Sequence, residues 1–148
     1  MRRIPPVAWV ILLTSGAYAL SLAPFFSTWP TFDGRIGAVI AVAAAVGLLA
    51  ASVLEFRRAK TQFMPNAPVN NSLVTGGVFA LTRNPMYLGM VLLCLAAALW
   101  FGRSAMLLAP LLMFAVANWV FIPFEEAKMR RQFGDAFDAY CKRVRRWI

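Results

Sequence analysis

Long apolar stretches alternate with short polar ones along this chain of 148 residues. Four stretches contain no charged residue, and they cover residues 4–32, 36–54, 84–102 and 104–124. A helix rises about 1.5 Å per residue, so roughly 20 mostly apolar residues cross a hydrocarbon core of about 30 Å. The pattern therefore predicts an all-α integral membrane protein with four transmembrane helices.

The connections between these spans differ in length. The first span is expected over about residues 7–26 and the second over about 36–56, while the third and fourth form a hairpin that turns near Gly102. Residues 57–83 form the longest polar segment, and their prolines, asparagines and glycines predict an irregular linker. A linker of this length in so small a bundle usually has a function.

The fourth span and the residues after it carry further signals. Pro110 lies inside that span, where the loss of one backbone hydrogen bond predicts a bend. Gly134 is expected to end the helix, and a last helix over residues 136–147 follows, with an apolar stripe opposite basic side chains. The stripe consists of Phe133, Phe137, Tyr140, Val144 and Trp147. This pattern predicts a C-terminal amphipathic helix at the cytoplasmic membrane interface that favours anionic lipid.

Positive charge is concentrated outside the spans. Of the fifteen Lys and Arg residues, only Arg35 and Arg103 lie in the two short connections, and the others precede span one, fill the long linker or follow span four. Because basic loops stay cytoplasmic, both termini and the linker are expected to face the cytoplasm. The net charge of +9 does not form a basic face on a soluble domain, so no nucleic acid is expected as a partner.

The start of the chain has a second interpretation. Arg2 and Arg3 followed by an apolar stretch also resemble a signal peptide. The stretch is long for a signal peptide and three more spans follow, which favours a retained first helix.

The residue types restrict the chemistry. The chain has no histidine, which is the commonest general base and metal ligand, and no acidic cluster inside the spans. Metal-assisted hydrolysis and Ser-His-Asp catalysis are therefore excluded, and no metal is expected. Cys94 and Cys141 fall in a span and in the tail, so a disulfide between them is not expected.

Two polar groups remain as candidates for chemistry. One comprises residues 72–79 and 83–89, and the other comprises Glu125 and Glu126 with the tail. Taken singly, Arg83 is an ordinary charge anchor, Tyr87 an interfacial aromatic residue, and the glutamates partners of nearby cations. Because spans three and four form a hairpin, however, the glutamates should lie near Tyr87. Carboxylates, an arginine, free amides and aromatic rings would then surround one pocket, which suits a zwitterionic nucleoside.

The segments SLVTGGVFALTRNPMYLG and FEEAKMRRQFGDAFDAYCKRVRRW, joined by an apolar hairpin, resemble the isoprenylcysteine carboxyl methyltransferase family, whose wider group includes phospholipid N-methyltransferases. The resemblance covers about residues 63–148. It implies an integral membrane enzyme that uses S-adenosylmethionine, and the compact form resembles prokaryotic members and so implies the cell membrane. It also implies two parts: a membrane anchor over residues 1–62 and a cofactor-binding, methyltransferase-like region over residues 63–148.

The resemblance also implies roles for particular residues. Cofactor contacts are implied for Asn71, Ser72, Leu73, Val74, Phe79, Asn84, Pro85, Met86, Tyr87 and Glu125. Catalytic roles are implied for Arg83, Glu125 and Glu126. Asn84 stands where eukaryotic members have a histidine, and its amide can still donate and accept hydrogen bonds. Phe121 stands where those members have a substrate-contacting arginine, and an apolar side chain cannot pair with a prenylcysteine carboxylate.

Several functions stay open at this point. The favoured one is methyl transfer to a lipophilic acceptor by in-line displacement, with a prenylated thiol or acid, a phospholipid amine and a small thiol as candidate acceptors. An NADPH-dependent membrane reductase is the enzymatic alternative, with Arg57, Arg58 and Lys60 available for a 2′-phosphate. A non-enzymatic scaffold that binds membrane lipids through its basic tail is the other alternative.

Overall fold

The computed structural model describes residues 5–60 and 72–148, so Arg2, Arg3 and residues 61–71 of the long linker, with Asn71 among them, lie outside the described residues. The described residues form α-helices, 3₁₀ and π turns and one isolated bridge between Thr31 and Arg103, without a β-strand. The α-helices are α1 (Pro6–Ser21), α2 (Pro24–Ser27), α3 (Arg35–Arg58), α4 (Pro85–Phe101), α5 (Leu108–Val116), α6 (Ile122–Phe133) and α7 (Asp135–Arg143). The all-α prediction is confirmed.

Two continuous helices are long and apolar enough to cross a membrane. They are α3, with 24 residues, and the 30-residue helix Ser104–Phe133, which includes α5 and α6. Two shorter apolar helices, α1 with 16 residues and α4 with 17, accompany them. The structure thus shows two candidate spans, and four crossings stay a prediction.

The prediction for the first span is wrong at its end. α1 stops at Ser21 and the short α2 begins at Pro24. Ala23, the residue before that proline, is extended with ψ 147°. A proline disfavours the helical conformation in the residue before it, which explains why one helix does not continue to residue 26.

The α4–α5 hairpin turns where expected. Gly102 ends α4 in the left-handed conformation with φ 62°, and a Cβ atom there would lie 2.1 Å from the carbonyl oxygen of Phe32. Only glycine satisfies both conditions. On the other side of the turn, the Ser104 hydroxyl donates a hydrogen bond of 2.5 Å to the Pro30 carbonyl.

The core lies between α1, α4 and the long helix. Its buried side chains are Trp9, Ala17, Tyr87, Met90, Cys94, Ala109, Met113, Ala117, Phe121 and Ile122. α3 packs against α4 through small residues, since a Cβ atom on Gly89 would lie 3.3 Å from the Ala45 carbonyl oxygen and 3.0 Å from Leu49. Close approach of this kind is typical of helices that pair within a membrane.

The long helix changes its geometry at a different place from the one predicted. Pro110 is the third residue of α5, after a 3₁₀ turn, and so lies in a first helical turn where its missing N–H costs little. The departure from α geometry is instead a π turn over Ala117–Phe121, directly before α6 and Pro123. π turns inside helices often accompany functional sites.

The C-terminal helix is shorter than predicted. α7 ends at Arg143, and Val144 is extended with φ −121° and ψ 132°. The expected apolar stripe turns toward the protein itself, because Phe137, Tyr140 and Val144 are buried in a cluster of their own. That cluster also contains Leu73, Met129, Phe133 and Cys141. Residues 144–147, which the sequence pattern assigned to the helix, leave it, and Arg145 and Arg146 bond to residues 82–84, directly before α4.

Candidate active site

The first turn of α4 places the side chain of Tyr87 against α6. The Asn84 N–H bonds to the Thr82 hydroxyl at 3.2 Å, and Pro85 then begins the helix with its fixed φ. Tyr87 follows in the first turn and is only 5% exposed. Its hydroxyl donates a hydrogen bond of 2.6 Å to the carboxylate of Glu125. The expected proximity of the glutamates to Tyr87 is confirmed.

Glu126 is held by two arginines. Arg83 Nη2 lies 2.9 Å from one carboxylate oxygen, while Arg146 donates to both oxygens, from Nη2 at 2.6 Å and from Nε at 3.1 Å. The Glu126 side chain is 16% exposed and the Arg83 side chain 14%. A bidentate, partly buried pair of this kind fixes its partners more firmly than a surface ion pair. We call Arg83, Tyr87, Glu125, Glu126 and Arg146 the charged cluster.

The segment before α4 and the C-terminal tail are joined by hydrogen bonds. Arg83 uses its side chain for the carbonyls of Cys141 and Val144, both at 3.0 Å, and its backbone N–H for the carbonyl of Arg145 at 3.0 Å. The Arg146 carbonyl accepts from the Thr82 hydroxyl at 3.1 Å and from the Asn84 side-chain amide at 2.9 Å. These contacts explain why the tail leaves helical geometry at Val144.

One residue of the site, in the π turn, was missed in the sequence because it belongs to no motif. Asn118, in the π turn, accepts hydrogen bonds from the Trp147 indole at 3.1 Å and from Arg146 Nη1 at 3.3 Å. Trp147 also packs against Phe114, with ring centroids 4.7 Å apart. An asparagine in an apolar helix was the available signal, since a buried amide requires hydrogen-bond partners.

The glycine-containing loop lies beside the end of α3. The Ser72 hydroxyl bonds to the Ala59 carbonyl at 3.1 Å, and in the described part of the chain the N–H groups of Leu73, Val74 and Thr75 have no backbone acceptor. Gly77 has φ +55°, and a Cβ atom there would lie 2.6 Å from a carboxylate oxygen of Glu55. Glu55 was also missed, because at the end of an apolar span it looks like an ordinary boundary charge.

Phe79 lies apart from the charged cluster. Its ring is 7% exposed and packs edge-on against Phe56, with centroids 5.3 Å apart. Its carbonyl accepts a hydrogen bond of 2.6 Å from the Tyr140 hydroxyl. Burial raises the pKa of Tyr140 to about 12, so this hydroxyl stays protonated at neutral pH.

The structure therefore divides the predicted site residues into two groups. Arg83, Asn84, Tyr87, Glu125 and Glu126 meet where α4, α6 and the tail converge. Pro85 is buried at the start of α4, next to the half-buried Met86. Ser72 and Leu73 lie in the loop, where Leu73 packs on the α7 cluster and Val74 is half-buried. Asn71 is outside the described residues.

The described residues thus form an all-helical protein with two candidate membrane spans and a polar site where α4, α6 and the tail converge. The family follows from the sequence: the sequence model of the phospholipid methyltransferase family matches residues 34–136, and the chain belongs to that family. The resemblance found in the sequence is thereby confirmed, and membership places the protein among the membrane methyltransferases.

A known relative gives no further information on chemistry. An uncharacterized protein of Haemophilus influenzae is 38% identical over 63 residues, which are 43% of this chain and the whole of that protein. No solved structure matches the chain.

Proposed function

We propose that this protein transfers the methyl group of S-adenosylmethionine to a lipophilic acceptor at the membrane surface. The observation that carries the proposal is the hydrogen bond of 2.6 Å between Tyr87 and Glu125, inside the segment that the family match covers. This bond joins the start of α4 to α6, and it brings the Glu125 carboxylate and the Tyr87 ring together at the edge of the apolar helices.

The residues present fit such a cofactor. A carboxylate can accept from ribose hydroxyls or pair with the α-ammonium group, and Glu125 supplies one. The ring of Tyr87 stacks on that of Phe121 at 6.0 Å and 18°, so flat apolar surfaces lie beside the carboxylate. The N–H groups of residues 73–75, which have no backbone acceptor in the described part of the chain, are further donors for an anionic group, as is the buried Nε of Arg83, which has no acceptor among the described residues.

When bound, S-adenosylmethionine supplies an activated methyl group on a sulfonium. The protein then has mainly to hold the donor and the acceptor in line, which can account for a large part of a rate enhancement. We propose that Glu125 binds the cofactor, that Glu126 supports it, and that Arg83 orients the carboxylates. A carboxylate or thiolate acceptor needs no general base, whereas an amine or hydroxyl acceptor does, and Glu125 would fill that role.

The acceptor is proposed to enter from the lipid. In this proposal α1, α3, α4 and the helix Ser104–Phe133 all cross the membrane, with both termini and the charged cluster on the cytoplasmic side, as the distribution of basic residues predicts. The buried Phe121 beside Tyr87 favours an apolar part of the acceptor at that position over an anionic one.

Calorimetry with S-adenosylhomocysteine tests the proposal. The purified protein in detergent should bind this product with a Kd on the order of micromolar, a free energy of about −8 kcal/mol. Glu125→Gln and Tyr87→Phe should weaken binding at least tenfold. Asp138→Asn is the matched control, because Asp138 pairs with Arg130 in an exposed ion pair that includes no residue of the charged cluster. Absence of binding by folded protein, or a preference for NADPH, would contradict the proposal.

The acceptor class can be found with the same preparation. Protein supplied with methyl-labelled S-adenosylmethionine and total membrane lipid should transfer label into an organic extract, and Glu125→Gln should abolish the transfer. Label that stays in the aqueous phase would exclude a lipophilic acceptor.

A further inference from the structure

The guanidinium of Arg146 bridges two points of the long helix, one inside an irregular turn and one in the regular helix that follows it. Its Nη1 reaches Asn118 within the π turn at 3.3 Å, and its Nη2 and Nε reach Glu126 in α6 at 2.6 and 3.1 Å. Trp147 adds a second bond to Asn118 at 3.1 Å. The tail therefore contacts the helix within the π turn and again after it.

That irregularity interrupts the regular α geometry between α6 and the helix before it. The π turn Ala117–Phe121 interrupts the regular hydrogen-bond pattern, and Pro123, two residues later, has no N–H to contribute. Glu125 and Glu126 follow directly. The rotation of α6 decides whether Glu125 faces Tyr87, and Arg83 and Arg146 contact α6 from outside it, through Glu126.

We infer that Arg146 is a positioning residue: by bridging Asn118 and Glu126 it sets the rotation of α6 and so holds the Glu125 carboxylate against the Tyr87 hydroxyl. Arg146 does not contact Glu125 or Tyr87 and acts through Glu126. The inference rests on the proposed function, because it gives a role to the pair that is proposed to bind the cofactor. It assigns that role to a residue beyond position 136, where the family match ends.

Charge alone does not account for this role. Arg143, on α7, is exposed and also cationic, yet among the described residues only Arg146 has a guanidinium that contacts both points. A lysine at position 146 would keep the positive charge but not the planar fork that reaches two acceptors together. Arginine and lysine at this position therefore separate positioning from simple charge neutralisation.

The test uses a spectroscopic signal that requires no ligand. The chain has three tyrosines, so protein labelled at the tyrosine ζ carbon gives three NMR resonances, and Tyr87→Phe identifies the one from Tyr87. This carbon bears the hydroxyl and its shift responds to the hydrogen bond to Glu125. Glu125→Gln defines the resonance position when that bond has lost its carboxylate partner.

We expect Arg146→Ala and Arg146→Lys both to move the Tyr87 resonance toward its position in Glu125→Gln. Arg143→Ala is the control and should leave it in place. Asn118→Ala removes only one end of the bridge and should give a smaller shift in the same direction. This milder variant keeps the test valid if Arg146→Ala does not fold. An unmoved Tyr87 resonance in Arg146→Ala, or restoration of the wild-type position by lysine, would overturn the inference.

Ligand affinity gives a second readout. Arg146→Ala should weaken binding of S-adenosylhomocysteine roughly ten- to hundredfold, the loss expected for a charge-assisted hydrogen bond. In a Glu126→Gln background the same change should have an effect of less than about threefold, because the route through Glu126 is already broken. If Arg146→Ala weakened binding equally in the wild-type and Glu126→Gln backgrounds, the inference that Arg146 acts through Glu126 would be contradicted. Wild-type protein that binds no S-adenosylhomocysteine would refute the proposed function, while the tyrosine resonances would still decide the positioning role.

Discussion

The two ends of the α4–α5 hairpin are held together in different ways. At the turn end, which comprises residues 30–34 and 102–104, the contacts end on backbone carbonyls: the Phe32 N–H bonds to Gly102 at 2.9 Å, and the Ser104 hydroxyl bonds to Pro30. At the opposite end, the charged cluster joins α4, α6 and the tail through side chains: guanidinium groups, carboxylates and the Tyr87 hydroxyl.

This difference means that the turn end contributes to the fold, whereas the charged cluster also carries the groups that could bind a ligand. Backbone contacts fix the geometry of a turn but offer no group that titrates or exchanges partners. Carboxylates and guanidinium groups held at the edge of an apolar bundle are costly to keep desolvated, and their partners are correspondingly specific. We therefore expect changes at the turn end to affect stability alone, and changes in the charged cluster to affect both stability and ligand binding.

The largest effect should come from the centre of the charged cluster. Glu126→Ala leaves the partly buried Arg83 and Arg146 without their shared carboxylate. The free energy of unfolding should fall by about 3 kcal/mol, a typical cost of breaking a buried pair by removing one partner. Denaturant titration in detergent, followed by circular dichroism, measures this. A loss no larger than that of the exposed-pair variant Asp138→Asn would show that the cluster does not stabilise the fold.

A glycine substitution tests the turn end. Gly102→Ala places a Cβ atom 2.1 Å from the Phe32 carbonyl oxygen at a residue with φ +62°. Unfolding should become easier by about 2 kcal/mol, while the affinity of the folded protein for S-adenosylhomocysteine stays unchanged. Gly16→Ala is the control, because a Cβ atom there has no neighbour within 4 Å. A loss of affinity in Gly102→Ala would show that the two ends are coupled.

A pH titration tests the hydroxyl that links α7 to the loop. Burial raises the pKa of Tyr140 to about 12, so the folded protein favours the neutral hydroxyl. The neutral hydroxyl therefore contributes fully to the free energy of unfolding below about pH 10. As the pH rises toward 12, about 2 kcal/mol of that contribution is lost. Wild-type protein should lose stability over this window relative to Tyr140→Phe. Parallel stability curves for the two proteins would contradict the expectation.

The smallest effect is expected where charges are exposed. Arg130 and Asp138 form an ion pair of 2.8 Å with side chains 55% and 45% exposed. Exposed pairs gain little because water screens them. Asp138→Asn should leave the melting temperature and the ligand affinity unchanged within the error of the measurement. A clear drop in either would extend the functional surface to α7.

Local patterns were sufficient to predict much of this architecture. The second span was expected at residues 36–56, and α3 covers Arg35–Arg58, because an uninterrupted apolar run has only one way to satisfy its backbone in lipid. The hairpin turn at Gly102 and the proximity of Tyr87 to Glu125 followed from the same reasoning. The roles of the predicted site residues stay predictions.

The remaining features depend on contacts between residues far apart in the chain. No periodicity indicates that Arg146 turns inward, and its basic neighbours made it look like part of a solvated face. Its position is set by the side chains of Asn118 and Glu126 and by the hydrogen bonds of Thr82 and Asn84 to its carbonyl. The end of α7 is likewise set by the hydrogen bonds of Arg83 to the Cys141 and Val144 carbonyls. These residues are 58 and 61 positions apart in the chain, so a local sequence pattern cannot predict the contacts.

The contact between Glu55 and Gly77 has a consequence for building chimeric enzymes. The carboxylate of Glu55 occupies the space that any side chain at position 77 would need, so the end of α3 and the loop are shaped to each other. Exchanging the first sixty residues for those of a relative would succeed only where the donor brings a side chain compatible with that glycine. Swap experiments that choose their junction by hydropathy alone would separate these two matched surfaces.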